Sequence, residues 1–308
     1  MATASESARV SMPIRTNCPI CSSADTRIAI DGEDRDLSIP HVGSSRTVLS
    51  HGRIRRCSEC SFGFRQLRPE DHELSALYRD ANDEMYEREM TGRWKTAHAY
   101  SRLVQRYKPK PGAILDIGCA SGAFLRTMAD LGWRTYGVEP SQSQFLRAQR
   151  NLDGRGTLFP CTLQEAQLPE LFDVVTMWDV LEHVTNPLEF MRICRDLLKP
   201  GGYLFVKTPD ISSVQARWMG ERWPLLLAEH LNYFNSKSMR TCGNSAQLTP
   251  IRMGRSPVHF SPEYVLFRLS QHSVPGTTLA GKLLSLSPLR RHTIPIWMGE
   301  LLSVWRRP

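Results

Sequence analysis

Two histidines in this sequence directly follow a glutamate, an arrangement that suits proton transfer. His183 ends the run DVLEH, and His230 follows Glu229. Histidine has a side-chain pKa near neutral pH, so it can take a proton from a hydroxyl or an acidic carbon. We favour His230 as the general base because Trp223 and Tyr233 suggest a partly aromatic pocket around it. The alternatives are that His183 only orders its loop and that His230 is a loop histidine bonded to its neighbouring acid.

Four of the eight cysteines form two C-x-x-C pairs that suit a structural metal site. The pairs are Cys18 with Cys21 and Cys57 with Cys60, separated by 35 residues. Four thiolates at such a spacing fit tetrahedral Zn²⁺, and four sulfur ligands leave no position open for a catalytic water. We therefore predict a small zinc-binding module over residues 17–66. Two redox-active pairs or unligated thiols remain the alternatives.

A glycine turn followed by an acid predicts a nucleotide site. The run LDIGCASGAFL places Gly118 and Gly122 between a strand and a helix, and Glu139 follows Gly122 by 17 residues. Glycine lets the backbone turn sharply and lie against a ligand, and an acid at this offset can accept hydrogen bonds from ribose hydroxyls. The turn is not G-x-G-x-x-G, and Asp116 beside it suits a cationic group better than a pyrophosphate. A turn without any ligand is the alternative.

From Ala113 onward, short apolar strands alternate with amphipathic helices, and these elements position the residues named above. This alternation predicts a parallel α/β sheet. The predicted strands are 113–118, 134–139, 157–161, 172–179, 203–209, 250–255 and 300–307, and the predicted helices are 121–133, 142–151 and 187–202. Ser141 is expected to cap the second of these helices. Residues 241–250 lack the clear amphipathic helix that would be expected before the sixth strand.

The remaining segments predict a tail and a connector. Residues 1–16 are polar and small, which predicts a disordered tail and not a signal peptide. Residues 67–112 predict a helical connector or lid that ends at the proline-rich KPKPG. No stretch approaches the roughly 18–20 apolar residues of a transmembrane helix, so we expect no transmembrane segment and a cytoplasmic location.

Several segments resemble motifs of the class I S-adenosylmethionine (SAM)-dependent methyltransferases, namely DIGCASGAFL, VEPS, FDVVTMWDVLEHVTNP and LLKPGGYLFVKTP. The resemblance covers residues 113–210. It implies SAM as cofactor and a Rossmann-like α/β domain over 113–308, with seven strands of which the last is antiparallel. The implied cofactor-binding residues are Asp116, Gly118, Cys119, Ala120, Gly122, Glu139, Pro140 and Asp179, the last facing the methyl group. Ala120 stands where many members have glycine.

The zinc module ahead of such a domain is similar to methyltransferases of deoxysugar and natural-product pathways. In the sugar enzymes a Glu-His pair and an aromatic stretch follow strand five, as Glu229, His230, Tyr233 and Phe234 do here. The implied acceptor is a small molecule, either a sugar, a nucleotide-sugar or a secondary metabolite. It would be methylated on oxygen or carbon, with His230 as the base. Those enzymes carry a large additional C-terminal domain, whereas this sequence stops at residue 308.

The charge distribution keeps a second class of substrate open. The net charge is +8, and residues 249–308 contain eight Lys or Arg against two acids. A basic region can bind RNA, an anionic membrane surface or a phosphorylated substrate. An RNA methyltransferase that binds through its zinc module and basic C-terminal region is therefore the alternative. A non-catalytic zinc-ribbon scaffold is disfavoured by the intact Asp116, Gly118, Gly122 and Glu139. The sequence does not specify the oligomeric state.

Overall fold

The computed structural model describes residues 14–32, 51–69, 79, 89–271, 276, 277, 280, 284 and 292–308. The strands are β1 (Thr26–Ile30), β2 (Ile54–Cys57), β3 (Gly63–Arg65), β4 (Ala113–Ile117), β5 (Arg134–Val138), β6 (Thr157–Phe159), β7 (Phe172–Trp178), β8 (Leu198–Pro209), β9 (Asn232–Tyr233), β10 (Thr249–Arg255), β11 (Val258–Phe260), β12 (Ile294–Ile296) and β13 (Glu300–Arg306). The helices are α1 (Met90–Tyr107), α2 (Ala123–Asp130), α3 (Gln142–Leu152), α4 (Pro187–Asp196), α5 (Val214–Met219), a 3-10 turn (Gly220–Arg222), α6 (Ser236–Ser245) and α7 (Pro262–Gln271).

The main sheet has seven strands in the order β10-β13-β8-β7-β4-β5-β6. Neighbours from β8 to β6 pair in parallel, and β13 is antiparallel to both β8 and β10. The predicted Rossmann-like sheet with an antiparallel last strand is confirmed. In such a sheet the carboxyl ends of the parallel strands form one edge, where ligands bind.

Helices cover both faces of this sheet because side chains alternate along its buried strands. Ile114 packs in a core cluster with residues of α1 and α2, such as Tyr100 and Phe124. The next residue, Leu115, packs in a second cluster that includes residues of α4 and α6. Both faces are therefore apolar, as the continuous hydrophobic runs of these strands predict.

The observed helices differ from the predicted ones at several ends. Ser141 caps α3 as predicted, with its Oγ accepting a hydrogen bond from the N–H of Gln144. The helix predicted over 187–202 ends at Asp196, because Leu198 already pairs with Phe172 in the sheet. A helix, α6, precedes the sixth strand of the sheet even though no amphipathic pattern predicts one. Asn235 and Ser238 form a capping box at its start.

A smaller antiparallel sheet, β1-β2-β3-β9, contains the predicted zinc module. Its fourth strand, β9, follows β8 in the chain, so the module shares a sheet with the segment after Pro209. The tail predicted over residues 1–16 is described only from residue 14 onward. Ile14 pairs with Leu67, and the N–H of Arg15 donates to the carbonyl oxygen of Gln66. These backbone contacts order residues 14–16, while residues 1–13 lie outside the described part of the chain.

The predicted helical connector is only partly described. Helix α1 supplies its second half and ends at Tyr107, before the proline-rich segment. Most of the connector's first half lies outside the described residues. Among the helices of the described part of the chain, none is both long and apolar enough to cross a bilayer.

Candidate active site

The turn between β4 and α2 requires its glycines. Gly118 and Gly122 both have positive φ, at 67° and 73°. A Cβ added to Gly118 would come within 2.8 Å of Val180 Cγ2, and one on Gly122 within 2.5 Å of Leu152 Cδ1. Ala120 between them also has positive φ, 47°, in the left-handed region that favours glycine. The turn therefore has a backbone conformation that its two glycines adopt freely and that strains Ala120.

Two acids flank this turn, as the sequence predicts. Asp116 is buried and accepts a hydrogen bond of 2.6 Å from Thr176 Oγ1. Burial raises the pKa of Asp116 to about 8. The carboxylate of Glu139 accepts from the N–H groups of Ala120 at 2.8 Å and Ser141 at 2.9 Å, and burial raises its pKa above the usual value. Each of these acids thus lies in a position that a cation or a hydrogen-bond donor would stabilise.

The two histidines predicted as catalytic, His183 and His230, lie next to each other. Their ring centroids are 4.7 Å apart with the planes at 74°. His183 Nδ1 bonds the carbonyl oxygen of Glu229 at 3.1 Å, and His230 Nδ1 bonds that of Leu225 at 2.8 Å. A carbonyl oxygen only accepts, so Nδ1 of each ring carries a hydrogen, and in the neutral ring the lone pair is on Nε2.

Burial keeps both imidazoles neutral. It lowers the pKa of His183 to about 4 and that of His230 well below its usual value. Glu182 beside them is also buried, and burial raises its pKa well above the usual range for a carboxyl. A ring nitrogen of each histidine and a carboxyl oxygen of Glu182 lie within 4.8 Å of one another. The trio therefore offers neutral proton acceptors close to a buried carboxyl group.

One cavity of about 430 Å³ joins the glycine turn to the histidines. Of the predicted site residues, it is lined by Asp116, Gly118, Cys119, Ala120, Asp179, His183, Glu229 and His230. Gly122, Glu139 and Pro140 are not part of its lining. Glu139 is nevertheless hydrogen-bonded to Ala120, which does line it. The sequence therefore brings most of its predicted cofactor and catalytic residues into a single space.

A family model described as a methyltransferase domain matches residues 86–252, more than half of the 308 residues. The chain belongs to this family. The predicted membership in the SAM-dependent methyltransferases is thereby confirmed.

Two curated relatives share part of this methyltransferase domain. A ubiquinone biosynthesis O-methyltransferase of Caulobacter vibrioides is 38% identical over 100 residues, which are 31% of this chain and 40% of that protein. The mitochondrial ubiquinone biosynthesis O-methyltransferase of Mus musculus is 36% identical over 110 residues, which are 33% of this chain and 30% of that protein. The matches span less than half of the length of these relatives. A solved structure of magnesium protoporphyrin IX methyltransferase from Synechocystis covers 71% of this chain and 81% of that chain, with a TM-score of 0.46 and 15% identity.

Lysine 207 is a charged residue of the methyltransferase cavity that the sequence reasoning missed. Its side chain is 4% exposed, and its Nζ lies 2.5 Å from Oδ2 of Asp179. Burial alone would lower the pKa of Lys207, but the negative charge of Asp179 raises it above the usual value. The sequence does contain a feature that points to this residue, because Lys207 is a cation inside the otherwise apolar strand YLFVKTP. Asp179 therefore lines the cavity with the ammonium group of Lys207 as its counter-ion.

One face of helix α1 also lines the cavity. The sequence pattern does not predict this. Arg93, Thr96, Ala97 and Tyr100 lie along it at helical spacing. The ring of Tyr100 stacks on Trp178 with centroids 4.2 Å apart. The spacing of these residues could have indicated a buried face, but their mixed polarity hides it. The helix thus forms one wall of the cavity.

The four paired cysteines converge as the sequence predicts. Sγ of Cys18 lies 3.5 Å from Sγ of Cys60, and Sγ of Cys21 lies 3.5 Å from that of Cys57 and 3.6 Å from that of Cys60. Tetrahedral zinc–sulfur bonds of about 2.3 Å would place the sulfurs about 3.8 Å apart. The donor set and its spacing therefore fit Zn²⁺ after a small outward adjustment.

Two arginines that follow the second cysteine pair in the chain contact the loops that carry His183 and His230. Buried Arg68 donates to the carbonyl oxygens of Val184 at 3.1 Å and Leu231 at 3.2 Å, and to Oδ1 of Asn232 at 2.9 Å. Buried Arg65 donates to the carbonyl oxygen of Ala228. Residues next to His183 and His230 are thus held by side chains from the segment that follows the second cysteine pair.

Proposed function

We propose that this protein transfers the methyl group of SAM to a hydroxyl oxygen of a small molecule. The observation that carries this proposal is the single cavity in which Asp116 and the glycine turn face neutral His183 and His230. Transfer to oxygen, in preference to carbon, is supported by the relatives, which are named O-methyltransferases. A sugar or secondary metabolite remains one acceptor class, and a phenolic hydroxyl is another.

The cofactor residues fit SAM chemically. The buried carboxyl of Asp116, with its pKa of about 8, would be stabilised as a carboxylate by a bound ammonium group. Glu139 accepts one hydrogen bond at each of its two oxygens, which leaves each oxygen able to accept another from a ribose hydroxyl. When bound, SAM supplies an electrophilic methyl carbon on a sulfonium. These residues would place that carbon towards Asp179 and the histidines.

The histidines would handle the proton of the acceptor. We assign Nε2 of His230 as the acceptor of the hydroxyl proton, because its Nδ1 is fixed to Leu225 and its ring stays neutral. The electron pair of the acceptor oxygen then forms the bond to the methyl carbon. SAM would supply both the methyl group and the sulfur that keeps the electron pair of the carbon–sulfur bond, so charge and atoms would balance. Glu229 contributes its carbonyl oxygen, which orients the ring of His183.

In this proposal, zinc would stabilise the fold and would take no part in methyl transfer. The thiols of Cys18, Cys21, Cys57 and Cys60 lie at the spacing of a closed four-sulfur site. Cys18, Cys57 and Cys60 pack in the same apolar cluster as Phe62 and Phe64. A metal there would fix the turn that precedes β3, and through β3 the loop that carries His230.

The test is a methyl-transfer assay with SAM and three acceptor classes, namely catechols, nucleotide sugars and RNA. Formation of S-adenosylhomocysteine and a methoxy carbon in the NMR spectrum of the product would support the proposal. A product with its new methyl on carbon would contradict it, and so would a protein that does not bind SAM. Activity on RNA that falls steeply with salt would favour the RNA alternative.

A further inference from the structure

A second cavity, of about 170 Å³, lies between the zinc-module sheet and the segment α5–Gly220. Apolar side chains form most of its walls, among them Ile54, Ile211, Ala216, Trp223 and Leu226. Among the described residues that line it, Arg56 is the only ionisable one. The cavity thus combines an apolar interior with a single guanidinium.

This second cavity is separate from the cavity that joins the glycine turn to His183 and His230, which we call the reaction cavity. The two cavities share a wall. The wall is the segment 223–230. Trp223 and Leu226 line the second cavity, whereas Leu225 and Leu227 line the reaction cavity. The indole N–H of Trp223 also donates to the carbonyl oxygen of Met298, a residue of the reaction cavity. A ligand in the second cavity would therefore touch the back of the segment that ends at His230.

Arginine 27 lies directly across the sheet from Arg56. The two residues are register partners in the antiparallel pair β1–β2, so their side chains project from the same face. Like charges placed directly opposite each other destabilise a sheet. Within the described residues neither guanidinium has an acidic partner at ion-pair distance. This pair of cations favours an anion at the rim of the cavity.

The residue opposite Arg56 on the other side is Gly63, which also lines the cavity. Gly63 is the register partner of Arg56 in the pair β2–β3. A Cβ on Gly63 would come within 3.0 Å of Tyr233 Cβ and 3.5 Å of Ile211 Cδ1. The row Arg27, Arg56, Gly63 therefore places two cations in line with a glycine of the cavity lining, against which Tyr233 and Ile211 pack closely.

From this arrangement we propose that the second cavity binds a small amphiphilic anion, a short apolar chain or ring that carries a carboxylate or a phosphate. The guanidinium groups of Arg27 and Arg56 hold the acid group, for which their planar donors are suited. The apolar part lies against Ile54, Trp223 and Leu226. Such a ligand is distinct from the methyl acceptor, because it binds behind the wall and not beside the histidines.

Calorimetric titration of the full chain with hexanoate and hexyl phosphate tests this site. Hexanol and inorganic phosphate are the matched probes that lack, respectively, the charge and the apolar chain. We expect each of them to bind about tenfold or more weakly than the amphiphilic anions, which corresponds to about 1.4 kcal/mol. Equal affinity for hexanol and hexanoate would overturn the role of the arginines.

Two variants locate the binding. Arg56→Gln should weaken hexanoate binding by about tenfold, whereas Arg240→Gln on the exposed face of α6 should not change it. Ala29→Trp should block the cavity from an exposed lining position, where a large side chain does not disturb the core. Hexanoate binding that is absent in the wild-type protein, or that is the same in Arg56→Gln and Ala29→Trp as in the wild type, would overturn the proposal. Neither result depends on methyl transfer.

Discussion

His183 and His230 meet edge to face with their ring centroids 4.7 Å apart, although 46 residues of chain separate them. The first follows β7 and the second follows β8, and these are neighbouring parallel strands. Each ring is held through Nδ1 by a backbone carbonyl oxygen from the segment 225–229. The pair is therefore positioned by the backbone through Nδ1 of each ring.

Replacement of His230 by alanine should slow turnover by about 10²–10⁴-fold while SAM affinity stays unchanged, because general-base catalysis contributes about this much. The measurement is the initial rate of methyl transfer together with calorimetric SAM binding. His98→Ala, at an exposed position of α1, is the control and should keep full activity. Full activity of the His230 variant would remove this residue from the mechanism. A larger loss in His183→Ala would assign the base to His183 instead.

Asp116 should make folding stability depend on pH. Its pKa in the folded protein, about 8, lies above the unfolded value of 3.8 given for an ordinary aspartate. The folded protein therefore binds one more proton between these values, and its stability falls as the pH rises through this window. One proton corresponds to a slope of about 1.4 kcal/mol per pH unit.

Asp116→Asn removes this titration. We expect the variant to lose that slope between about pH 5 and pH 7 in urea unfolding experiments, and to bind SAM about tenfold or more weakly because the charge is gone. Glu221→Gln, at an exposed position, is the control. If the stability of Asp116→Asn had the same pH dependence as the wild type, the carboxyl would already be ionised in the folded protein.

The left-handed conformation of Ala120 predicts a stabilising substitution. Its φ of 47° costs an L-residue about 1–2 kcal/mol, and glycine relieves this at an entropic cost of about 0.5–1 kcal/mol. Ala120→Gly should therefore increase the free energy of unfolding by about 0.5–1 kcal/mol. Ala99→Gly in the interior of α1 should decrease it by about as much. A loss of stability in Ala120→Gly would mean that the methyl group makes contacts worth more than the strain.

Zinc content should depend on the cysteine pairs alone. Cys57→Ser should lose the metal and lower the melting temperature by about 4 °C or more, since metal binding to such a site is coupled to folding. Cys161→Ser is the control, because Cys161 lies outside the four-cysteine cluster. Elemental analysis of both purified variants is the measurement. Equal zinc in the two variants would contradict the predicted ligand set.

The sequence predicts the parts of this molecule that follow from periodicity and from turn chemistry. The seven strands and the glycine turn follow from alternating apolar segments and from turn chemistry, and the common edge of the parallel strands explains why the two histidines meet. The pairing of β9 with β3 does not, because a strand of two residues carries no periodic pattern. Helix α6 was missed for a related reason, since its start is set by the Asn235 capping box and not by an apolar stripe. Lys207 was missed because its partner, Asp179, is distant in sequence.

The contacts of Arg68 predict that the segment after the four-cysteine module affects turnover more than cofactor affinity. Its guanidinium donates to carbonyl oxygens of Val184, Thr185 and Leu231, which flank the two histidines. Arg68→Met would remove the hydrogen bonds that this buried guanidinium donates, and should decrease the free energy of unfolding by about 2–4 kcal/mol. Turnover should fall further than SAM affinity, because the glycine turn makes none of these bonds.

Arg68→Lys is the matched control. It keeps the charge but lacks the planar fork, so we expect stability and turnover between those of the wild type and of Arg68→Met. Denaturant unfolding, initial rates and SAM titration on the three proteins separate the effects. A parallel loss of SAM affinity and turnover in Arg68→Met would show that Arg68 supports the whole sheet. Turnover that falls alone would place its effect at the histidines, which is the outcome that the geometry favours.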